Sequence, residues 1–234
     1  MAKKLLVANW KMNPASLQEA ERLCQDYAAL APLFNGVDLV VAPPFVYLDR
    51  LSKVFRAMDY TLDASLAAQD VFWEERGAYT GAISPAMLKD MEVEYVIIGH
   101  SERRYMGETD DMVNKKVLAS LAAGLKVILC VGEAKRESVE SAKDYVRGQL
   151  EGDLRGVTAS HDSLVIAYEP VWAIGTGIAD NPEDTVAIVN YIKELLASRY
   201  SLPTGRVLYG GSVTGQNAKS FLNCKEIDGA LVGG

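Results

Sequence analysis

Residues 95–131 read YVIIGHSERRYMGETDDMVNKKVLASLAAGLKVILCV, and this stretch decides the fold. It begins with one apolar run, Tyr95–Gly99, and ends with a second, Lys126–Val131. Apart from Lys126 both runs are continuously apolar and do not alternate with polar residues, which is typical of strands buried on both faces of a parallel sheet. Between them, apolar side chains recur at the spacing of one buried helix stripe, at Val113, Val117 and Leu121. The stretch therefore predicts a strand–helix–strand unit with parallel strands.

The same alternation of strands and helices continues along the chain. Apolar runs predict eight strands, at Leu5–Asn9, Val37–Ala42, Ser65–Gln69, Tyr95–Gly99, Lys126–Val131, Leu164–Tyr168, Val207–Gly210 and Gly229–Val232. Because no repeat, low-complexity tract or linker divides them, we expect a single domain over residues 1–234. An open doubly wound sheet and a closed (β/α)8 barrel both fit this pattern. The strand count favours the barrel, as does the lack of a GxGxxG motif after the first strand.

Several helices carry recognisable start signals. Ser16 and Glu19 form a capping-box pattern in front of a helix that is predicted to end near Leu30. The pairs Ser84-Pro85 and Asn181-Pro182 each place an N-cap residue before a proline at the first helical position. A second helix stripe is formed by Val189, Ile192 and Leu196. Thr214 is predicted to open a last, short helix that runs towards Leu222.

The last strand–helix unit is incomplete in this sequence. The eighth predicted strand is followed by Gly233-Gly234, so the final C-terminal helix of the (β/α)8 barrel is absent. A complete helical ring is expected to need roughly 15–20 further residues, at ~1.5 Å of helix per residue.

Composition narrows the class of protein. The chain has 234 residues, 49% of them hydrophobic, and a net charge of −7 from 24 Lys+Arg and 31 Asp+Glu. No apolar run reaches the roughly 18–20 residues of a membrane span, and no basic stripe suggests nucleic-acid binding. The three separated cysteines (Cys24, Cys130, Cys224) do not suggest a disulfide framework, so a cytoplasmic location is expected. With only His100 and His161, no metal site is expected.

In a (β/α)8 barrel the active site lies where the strands end, at their carboxyl termini. The residues at these ends include a lysine, a histidine, two glutamates, amides and glycine pairs, namely Asn9, Lys11, Gln69, His100, Glu133, Glu169, Gly210-Gly211-Ser212 and Gly233-Gly234. A cation, an imidazole and a carboxylate together supply an electrophile, a proton donor and a base. Glycine pairs after the last two strands expose backbone N–H groups, which commonly bind phosphate in barrels. The set is suited to proton transfer on a small anionic substrate.

Each of these residues also has an ordinary structural interpretation. Glu169 is either a general base fixed by Pro170 or a solvated loop carboxylate. His100 is either a catalyst at a helix N-terminus or a buried structural histidine. Lys11 is either a cation over the barrel mouth or a surface lysine, and the glycine pairs are either a phosphate site or plain turns. Glu102, Arg103 and Arg104 fit an ion-pair network or a subunit contact as well as chemistry, and Cys130 fits core packing.

The segment after Glu169 has the composition of a lid. It is apolar, begins at a proline and ends among glycines, which suits a loop that buries its apolar side chains on closing and excludes water. Its residues are Pro170, Val171, Trp172, Ala173, Ile174, Gly175 and Thr176.

These same motifs resemble the triosephosphate isomerase family. The matching segments, in family order from residue 8 to the end, are ANWKMN (8–13), IGHSERR (98–104), YEPVWAIGTG (168–177), YGGSV (209–213) and GALVGG (229–234). The resemblance implies a TIM barrel that interconverts dihydroxyacetone phosphate and glyceraldehyde 3-phosphate in glycolysis and gluconeogenesis through an enediolate. It also implies that no metal or cofactor takes part.

The resemblance further implies a role for each site residue. Glu169 would move a proton between the two carbons, and neutral His100 would polarise the carbonyl and move protons between the oxygens. Lys11 and Asn9 would hold the substrate and stabilise the enediolate, with Glu102 in support. Phosphate would be bound by Gly175, Ser212, Gly233 and Gly234, and residues 170–176 would close over it.

A homodimer is implied as well, because the segment 69–86 resembles the loop that each subunit inserts into its partner near Lys11, with Thr80 at the tip. Asp70 departs from the asparagine that is more frequent there. Two alternatives remain open from the sequence. One is another phosphosugar barrel such as an epimerase, which would normally need more metal-ligand residues. The other is a folded but inactive, truncated or engineered barrel.

Overall fold

Eight parallel strands close into a barrel in the computed structural model, which describes residues 3–34, 36–57, 64–174, 179–202 and 205–233. The strands follow one another around the barrel in chain order, and β1 closes it by pairing with β8, Leu5 opposite Gly229. Their bounds are β1 Lys4–Asn9, β2 Val37–Ala42, β3 Ala64–Ala68, β4 Tyr95–Ile98, β5 Lys126–Val131, β6 Leu164–Tyr168, β7 Arg206–Tyr209 and β8 Gly229–Gly233. The predicted (β/α)8 barrel is confirmed, and every strand lies within one residue of its prediction.

Helices cover the outside of the strands. They are α1 Leu17–Leu30, α2 Phe45–Ala57, α3 Pro85–Asp90, α4 Ser101–Tyr105, α5 Asp110–Ala122, α6 Val139–Asp153, α7 Pro182–Tyr200 and α8 Ala218–Leu222, with 3₁₀ turns at Ala31–Phe34 and Val171–Ala173. None of the helices in the described part of the chain is long and apolar enough to cross a bilayer.

The predicted helix caps are present where the sequence placed them. Ser16 accepts a hydrogen bond from the Glu19 N–H (3.2 Å), and Ser84 accepts one from the Met87 N–H (3.3 Å). Asn181 accepts one from the Glu183 N–H (3.0 Å). These side chains satisfy N–H groups that the first turn of each helix leaves without an intrahelical partner.

One helix boundary was predicted wrongly. The last helix begins at Ala218 and not at Thr214, because Thr214 and Asn217 close a separate turn in front of it. The Thr214 N–H donates to Asn217 Oδ1 (2.7 Å), and the Asn217 amide donates to the Ser212 carbonyl (2.8 Å). Side chains of this type form such local bonds in competition with helix geometry.

The core has an inner and an outer layer. In the inner layer, apolar side chains of the strands point into the barrel and fill it. They include Leu5, Val7, Val40, Ile97, Ile128, Val165 and Leu208. The outer layer joins the strands to the surrounding helices, and it includes the predicted helix positions Val113, Val117, Val189, Ile192 and Leu196. Burial on both faces explains why the strands are apolar without alternation. The filled interior leaves the barrel ends as the places where polar side chains gather.

Candidate active site

Glu169 follows β6 directly and is almost completely buried, with 2% of the residue exposed. Its backbone N–H donates to the Val131 carbonyl (2.8 Å), which continues the sheet by one residue. One carboxylate oxygen accepts a hydrogen bond from the Ser101 N–H (3.1 Å), and the other lies 3.2 Å from His100 Nε2. A buried carboxylate needs such partners, because burial without them costs several kcal/mol. The structure therefore brings two predicted residues from β4 and β6 into direct contact.

Glycines make the space for Glu169. A Cβ on Gly132 would lie 1.7 Å from the Glu169 carbonyl oxygen, and one on Gly210 would lie 2.9 Å from Glu169 Cγ. Any side chain at either position would displace the glutamate. Gly210, which the sequence assigned only to a turn or a phosphate site, thus also shapes the position of the carboxylate.

His100 is held in one tautomer by the start of α4. It is the N-cap residue of that helix, and the Glu102 N–H donates to its Nδ1 (3.2 Å). Nδ1 must then carry a lone pair, so the proton of the neutral ring is on Nε2. Nε2 is also the atom that faces Glu169. The geometry leaves a neutral imidazole with its N–H directed into the site.

Lys11 lies beyond the end of β1 in a left-handed backbone conformation, with φ of 53°. Its N–H donates to Asn9 Oδ1 (3.0 Å), and its ammonium forms an ion pair with Glu102 Oε1 (2.9 Å). A Cβ on Gly233 would approach Lys11 Cε to 2.7 Å, so a glycine at the end of β8 leaves room for the lysine stem. Asn9, Lys11 and Glu102 are therefore together at the same mouth as His100.

Gln69 also helps to build the site, although its role there was not predicted from the sequence. Its amide donates to the Lys11 carbonyl and to the Ala42 carbonyl, both at 2.8 Å. Lys11 lies in a turn after β1, and the two bonds attach this turn to the end of β2. The available signal was an amide side chain at the end of the third strand, on the same side of the barrel as Lys11.

The predicted lid is described only in part. Pro170 and Ile174 flank the 3₁₀ turn at Val171–Ala173, in which Ala173 is buried while Val171 and Trp172 are partly exposed. Gly175 and Thr176, and also the phosphate-site residue Gly234, lie outside the described residues. Of the other predicted phosphate ligands, Ser212 follows β7 and Gly233 ends β8, so both lie at the carboxyl-terminal mouth.

A second buried carboxylate, Glu133, lies beside the lid. Tyr168 donates its hydroxyl to Glu133, Trp172 donates its indole N–H (2.9 Å), and Arg136 donates its Nε–H (3.0 Å). Burial, followed by the charge of Glu133, raises the pKa of Tyr168, so its hydroxyl remains a donor. Arg136 also pairs with Asp180 (2.6 Å). No role was predicted for Tyr168, Arg136 or Asp180, since residues 44 positions apart in sequence give no local signal of pairing.

The neighbouring residues with two interpretations turn out to be structural. Cys130 is fully buried, and burial together with the charge of Glu169 raises the pKa of its thiol well above the ordinary value. It is therefore a packed thiol and not a nucleophile. Arg104 pairs with Asp153 (2.6 Å) and donates to the Gly99 carbonyl (2.8 Å), and Arg103 pairs with Asp70 (2.9 Å). Both arginines thus belong to ion-pair networks.

The chemistry that this mouth supports is a proton transfer. A buried carboxylate is a base, a neutral imidazole N–H is an electrophile, and an ammonium group stabilises developing negative charge on oxygen. In the described part of the chain, no three His, Cys, Asp or Glu side chains are arranged to hold a metal ion.

Comparisons with known proteins agree with this geometry. A sequence model of the family described as triosephosphate isomerase matches residues 4–234. The chain is 45% identical to the triosephosphate isomerase of Thermoanaerobacter sp. (strain X514), 44% identical to that of Caldanaerobacter subterraneus subsp. tengcongensis and 43% identical to that of Dictyoglomus thermophilum. Each alignment covers the whole of this chain and 94% of the relative.

Proposed function

The chain belongs to the triosephosphate isomerase family, and from this premise we propose how its residues divide the work of the reaction. The protein is an isomerase that interconverts dihydroxyacetone phosphate and glyceraldehyde 3-phosphate, a step of glycolysis. We treat residues 1–234 as one catalytic domain. The role of each residue is our proposal, and the contact between His100 Nε2 and Glu169 Oε1 is the observation that supports it most directly.

Glu169 is the base and His100 is the electrophile. With a triose phosphate between them, Glu169 removes a proton from the carbon next to the carbonyl and returns it to the neighbouring carbon. The Nε2–H of His100 donates to the carbonyl oxygen, and the imidazole then moves protons between the two oxygens. The bond from the Glu102 N–H to His100 Nδ1 supports this role, because it fixes the proton on the nitrogen that faces the substrate.

Lys11 and Asn9 stabilise the enediolate. An ammonium group fixed in a site from which water is excluded stabilises a developing oxyanion without reorganisation. The ion pair with Glu102 and the bond from Gln69 to the Lys11 carbonyl hold that charge in place before the substrate arrives. Glu102 is a supporting residue, since its contacts are with Lys11 and with the His100 loop.

Phosphate binds at the ends of β6, β7 and β8. We assign it to the backbone of Gly175, Ser212, Gly233 and Gly234, as the family pattern implies. Residues 170–176 form the lid that keeps water from the enediolate, which otherwise loses its phosphate. The hydrogen bond from the Trp172 indole to Glu133 supports this assignment, because it holds the first part of the lid in a defined position.

We propose a homodimer through the loop around Thr80. Aromatic rings of this loop pack together: Phe72 stacks on Trp73 (4.1 Å between ring centroids) and lies tilted against Tyr79 (4.7 Å). Large apolar side chains are exposed elsewhere, with Met12 at 94% and Tyr105 at 93%. Met12 directly follows Lys11, near which the loop is proposed to insert, so its exposed side chain supports a covered surface there. Sedimentation equilibrium tests the proposal: a dimer has twice the 25.5 kDa mass of one chain, and replacing Thr80 and Tyr79 by charged residues is expected to give the monomer.

The proposed compartment is the cytoplasm. A glycolytic role supports it, and so do Cys24, Cys130 and Cys224, which are all free thiols.

One assay tests the catalytic assignment. Isomerisation of glyceraldehyde 3-phosphate is measured with a coupling enzyme for wild type and for Glu169→Asp. The variant keeps the carboxylate but withdraws it by about 1 Å, and a misplacement of that size costs on the order of 10²-fold in rate. Equal rates for the two proteins would refute Glu169 as the base. No turnover in the wild type would establish the folded but inactive barrel instead.

A further inference from the structure

Arg104 lies at the place where β4 leaves the sheet. The pairing of β4 with β5 ends at Ile98 opposite Leu129, and the next residue, Gly99, turns the chain with a φ of 72°. Glycine adopts this left-handed conformation without the strain that a Cβ brings. The Arg104 Nε–H donates to the Gly99 carbonyl (2.8 Å), and Nη2 lies 3.5 Å from the Cys130 carbonyl oxygen near the end of β5. The guanidinium thus spans the ends of two neighbouring strands.

The backbone of Arg104 is bound to the same turn. Arg104 belongs to α4, and its N–H donates to the His100 carbonyl (3.0 Å). Because helical side chains are directed back towards the helix N-terminus, its guanidinium reaches the residue in front of His100. A Cβ on Gly99 would lie 2.9 Å from Arg104 Nη2, so the guanidinium is packed directly against the turn. Arg104 therefore contacts both residues that lead from β4 into the site.

Arg104 is itself held by two helices of the outer layer. Its side chain is only 16% exposed, and Nη2 donates to a carboxyl oxygen of Asp153 on α6 (2.6 Å). Nη1 donates to Asp110 on α5. Burial lowers the pKa of Arg104, but the two aspartates more than compensate and raise it above its ordinary value, so the guanidinium stays charged. Hydrogen bonds from a charged donor are among the stronger ones in proteins, and here they attach the turn to both helices.

The position of this turn decides where the imidazole lies. Gly99 directly precedes His100, whose Nε2 is 3.2 Å from Glu169 Oε1. The two side chains come from different strands, β4 and β6, so their distance depends on how each strand end is held. The Glu169 N–H still bonds to β5, whereas the chain at Gly99 has turned away from it. On the His100 side, the bond from Arg104 does what the sheet does on the Glu169 side.

We propose that Arg104 is a positioning residue for the isomerisation, which sets the position of His100 relative to Glu169 by holding the Gly99 carbonyl. The inference rests on the proposed function, because it takes His100 to be the group that polarises the substrate carbonyl. Arg104 has no part in the proton transfers and acts through the turn at Gly99. Its loss lowers kcat more than it changes KM, because the proposed phosphate ligands follow β6, β7 and β8.

The test compares three variants at Arg104 with a matched control. Arg104→Met keeps an unbranched stem and the backbone bond to His100, and Arg104→Lys keeps the charge without the planar guanidinium. The double variant Arg104→Met/Asp153→Asn also removes the carboxyl group that would otherwise stay buried without its cation. The control is Arg155→Met, because Arg155 is 67% exposed and pairs with Asp111 on α5 (2.7 Å). All variants are compared at a temperature where circular dichroism shows that they are folded.

Two measurements separate positioning from mere stability. Steady-state kinetics gives kcat and KM, and ¹⁵N NMR of the histidine rings observes the imidazole of His100 directly. The chain has only two histidines, so the exposed His161 serves as an internal reference. In Arg104→Met we expect kcat to fall at least about tenfold with KM within about twofold, since a misplacement of 1 Å costs on the order of 10²-fold in rate. We also expect the His100 ring signals to move while those of His161 stay unchanged.

The remaining variants have distinct expected results. The double variant is expected to lose as much kcat as Arg104→Met, because neither protein can hold the Gly99 carbonyl. Arg104→Lys is expected to recover part of the loss, since an ammonium group can still donate to that carbonyl. Arg155→Met is expected to match the wild type in both measurements.

An unchanged kcat in Arg104→Met would overturn the proposal. A loss of kcat without movement of the His100 signals would also overturn it, because the effect would not act through the imidazole. Recovery of kcat in the double variant would do the same, since an unpaired Asp153 would then be the cause. Where Arg104→Met does not fold, the double variant and Arg104→Lys are judged by the same criteria.

A wild type with no isomerase activity is a different result. It would refute the proposed function, and the role of Arg104 in the isomerisation would fall with it. An active wild type whose His100 signals match those of Arg104→Met would refute this inference alone.

Discussion

At the amino-terminal mouth of the barrel, a cavity of about 470 Å³ is lined by charged residues at the starts of the strands. There Arg206 pairs with Asp38 (3.0 Å), and Lys126 pairs with Glu94 (3.2 Å). At the carboxyl-terminal mouth a smaller cavity of about 150 Å³ lies beside Glu169. The carboxylate of Glu169 is nearly inaccessible to solvent, and its side-chain partner is the imidazole of His100 and not an arginine or a lysine.

The contrast shows that the number of charged side chains around a cavity does not mark the reactive end. Exposed charges that neutralise one another gain little, and they have no capacity left for a substrate. A buried carboxylate whose side-chain partner is an imidazole is placed to accept a proton from a substrate. The mouth that we propose to be functional is the one in which the buried carboxylate of Glu169 is paired with an imidazole and a backbone N–H, in keeping with the end of the barrel where enzymes of this fold act.

The largest expected difference between the two mouths is in the turnover number. Glu169→Gln keeps the shape of the side chain and removes the proposed base, so kcat should fall about 10³-fold, within the range for a general base. Lys126→Met at the other mouth should leave kcat within about twofold, since an exposed ion pair is worth little. Steady-state kinetics of both variants measures the contrast. A comparable loss in Lys126→Met would break the comparison.

Removing a cationic side chain should also affect kcat/KM very differently at the two mouths, as a comparison of Lys11 with Arg206 tests. Lys11→Met removes the ammonium that we propose to face the developing oxyanion, and kcat/KM should fall about 10²-fold, the lower value found for loss of one such group. Arg206→Met removes a cation of equal charge from the amino-terminal mouth and should leave kcat/KM unchanged. The assay is run at two salt concentrations, because a general electrostatic effect would be screened and a fixed contact much less so. Similar losses in both variants would show that net charge, and not position, matters.

Close packing around the base predicts a smaller effect. In Gly210→Ala the new Cβ would lie 2.9 Å from Glu169 Cγ, which is too close, so the carboxylate must shift. We expect kcat/KM to fall about tenfold as a result. Gly148 on α6 is the matched control, because a Cβ there meets no atom within 4 Å. Gly148→Ala should keep full activity and stabilise the fold by about 0.5–1 kcal/mol. Urea denaturation and kinetics together test the pair, and an unaffected kcat/KM in Gly210→Ala would contradict the tight fit.

Most of the carboxyl-terminal mouth could be predicted from the sequence, because its residues follow strands that local apolar runs reveal. Glu169, His100 and Lys11 each come within two residues of the end of such a run, and closure of the barrel alone brings the ends of strands together. Contacts between loops could not be predicted. The pairing of Arg136 with Asp180 and the two bonds of Gln69 depend on how distant loops approach, and neither has a periodic signal. The start of α8 was misplaced for a related reason, since side-chain bonds in a turn compete with helix formation.

The smallest predicted effect tests whether burial of a charge is enough to mark chemistry. Asp153 is fully buried beside Arg104, and burial, against the opposing effect of Arg104, raises its pKa from 3.8 to about 8. Because the folded-state pKa is above that of the unfolded chain, the contribution of Asp153 to stability is complete below about pH 4 and is lost as the pH rises through 8. Between roughly pH 5 and 7 this one group should lower the free energy of unfolding by about 1 kcal/mol per pH unit.

Asp153→Asn should therefore flatten the pH dependence of stability while leaving kcat unchanged, since the asparagine oxygen still accepts a bond from Arg104. Asp144→Asn, at an exposed position on the same helix, is the control and should follow the wild type. Urea midpoints at pH 5, 6 and 7 measure the slopes. Parallel slopes in wild type and Asp153→Asn would mean that Arg104 keeps the carboxylate ionised throughout. A loss of kcat in Asp153→Asn would mean instead that a buried carboxyl group beside Arg104 is tied to the reaction. Burial would then mark function even where a carboxyl group has a cationic partner.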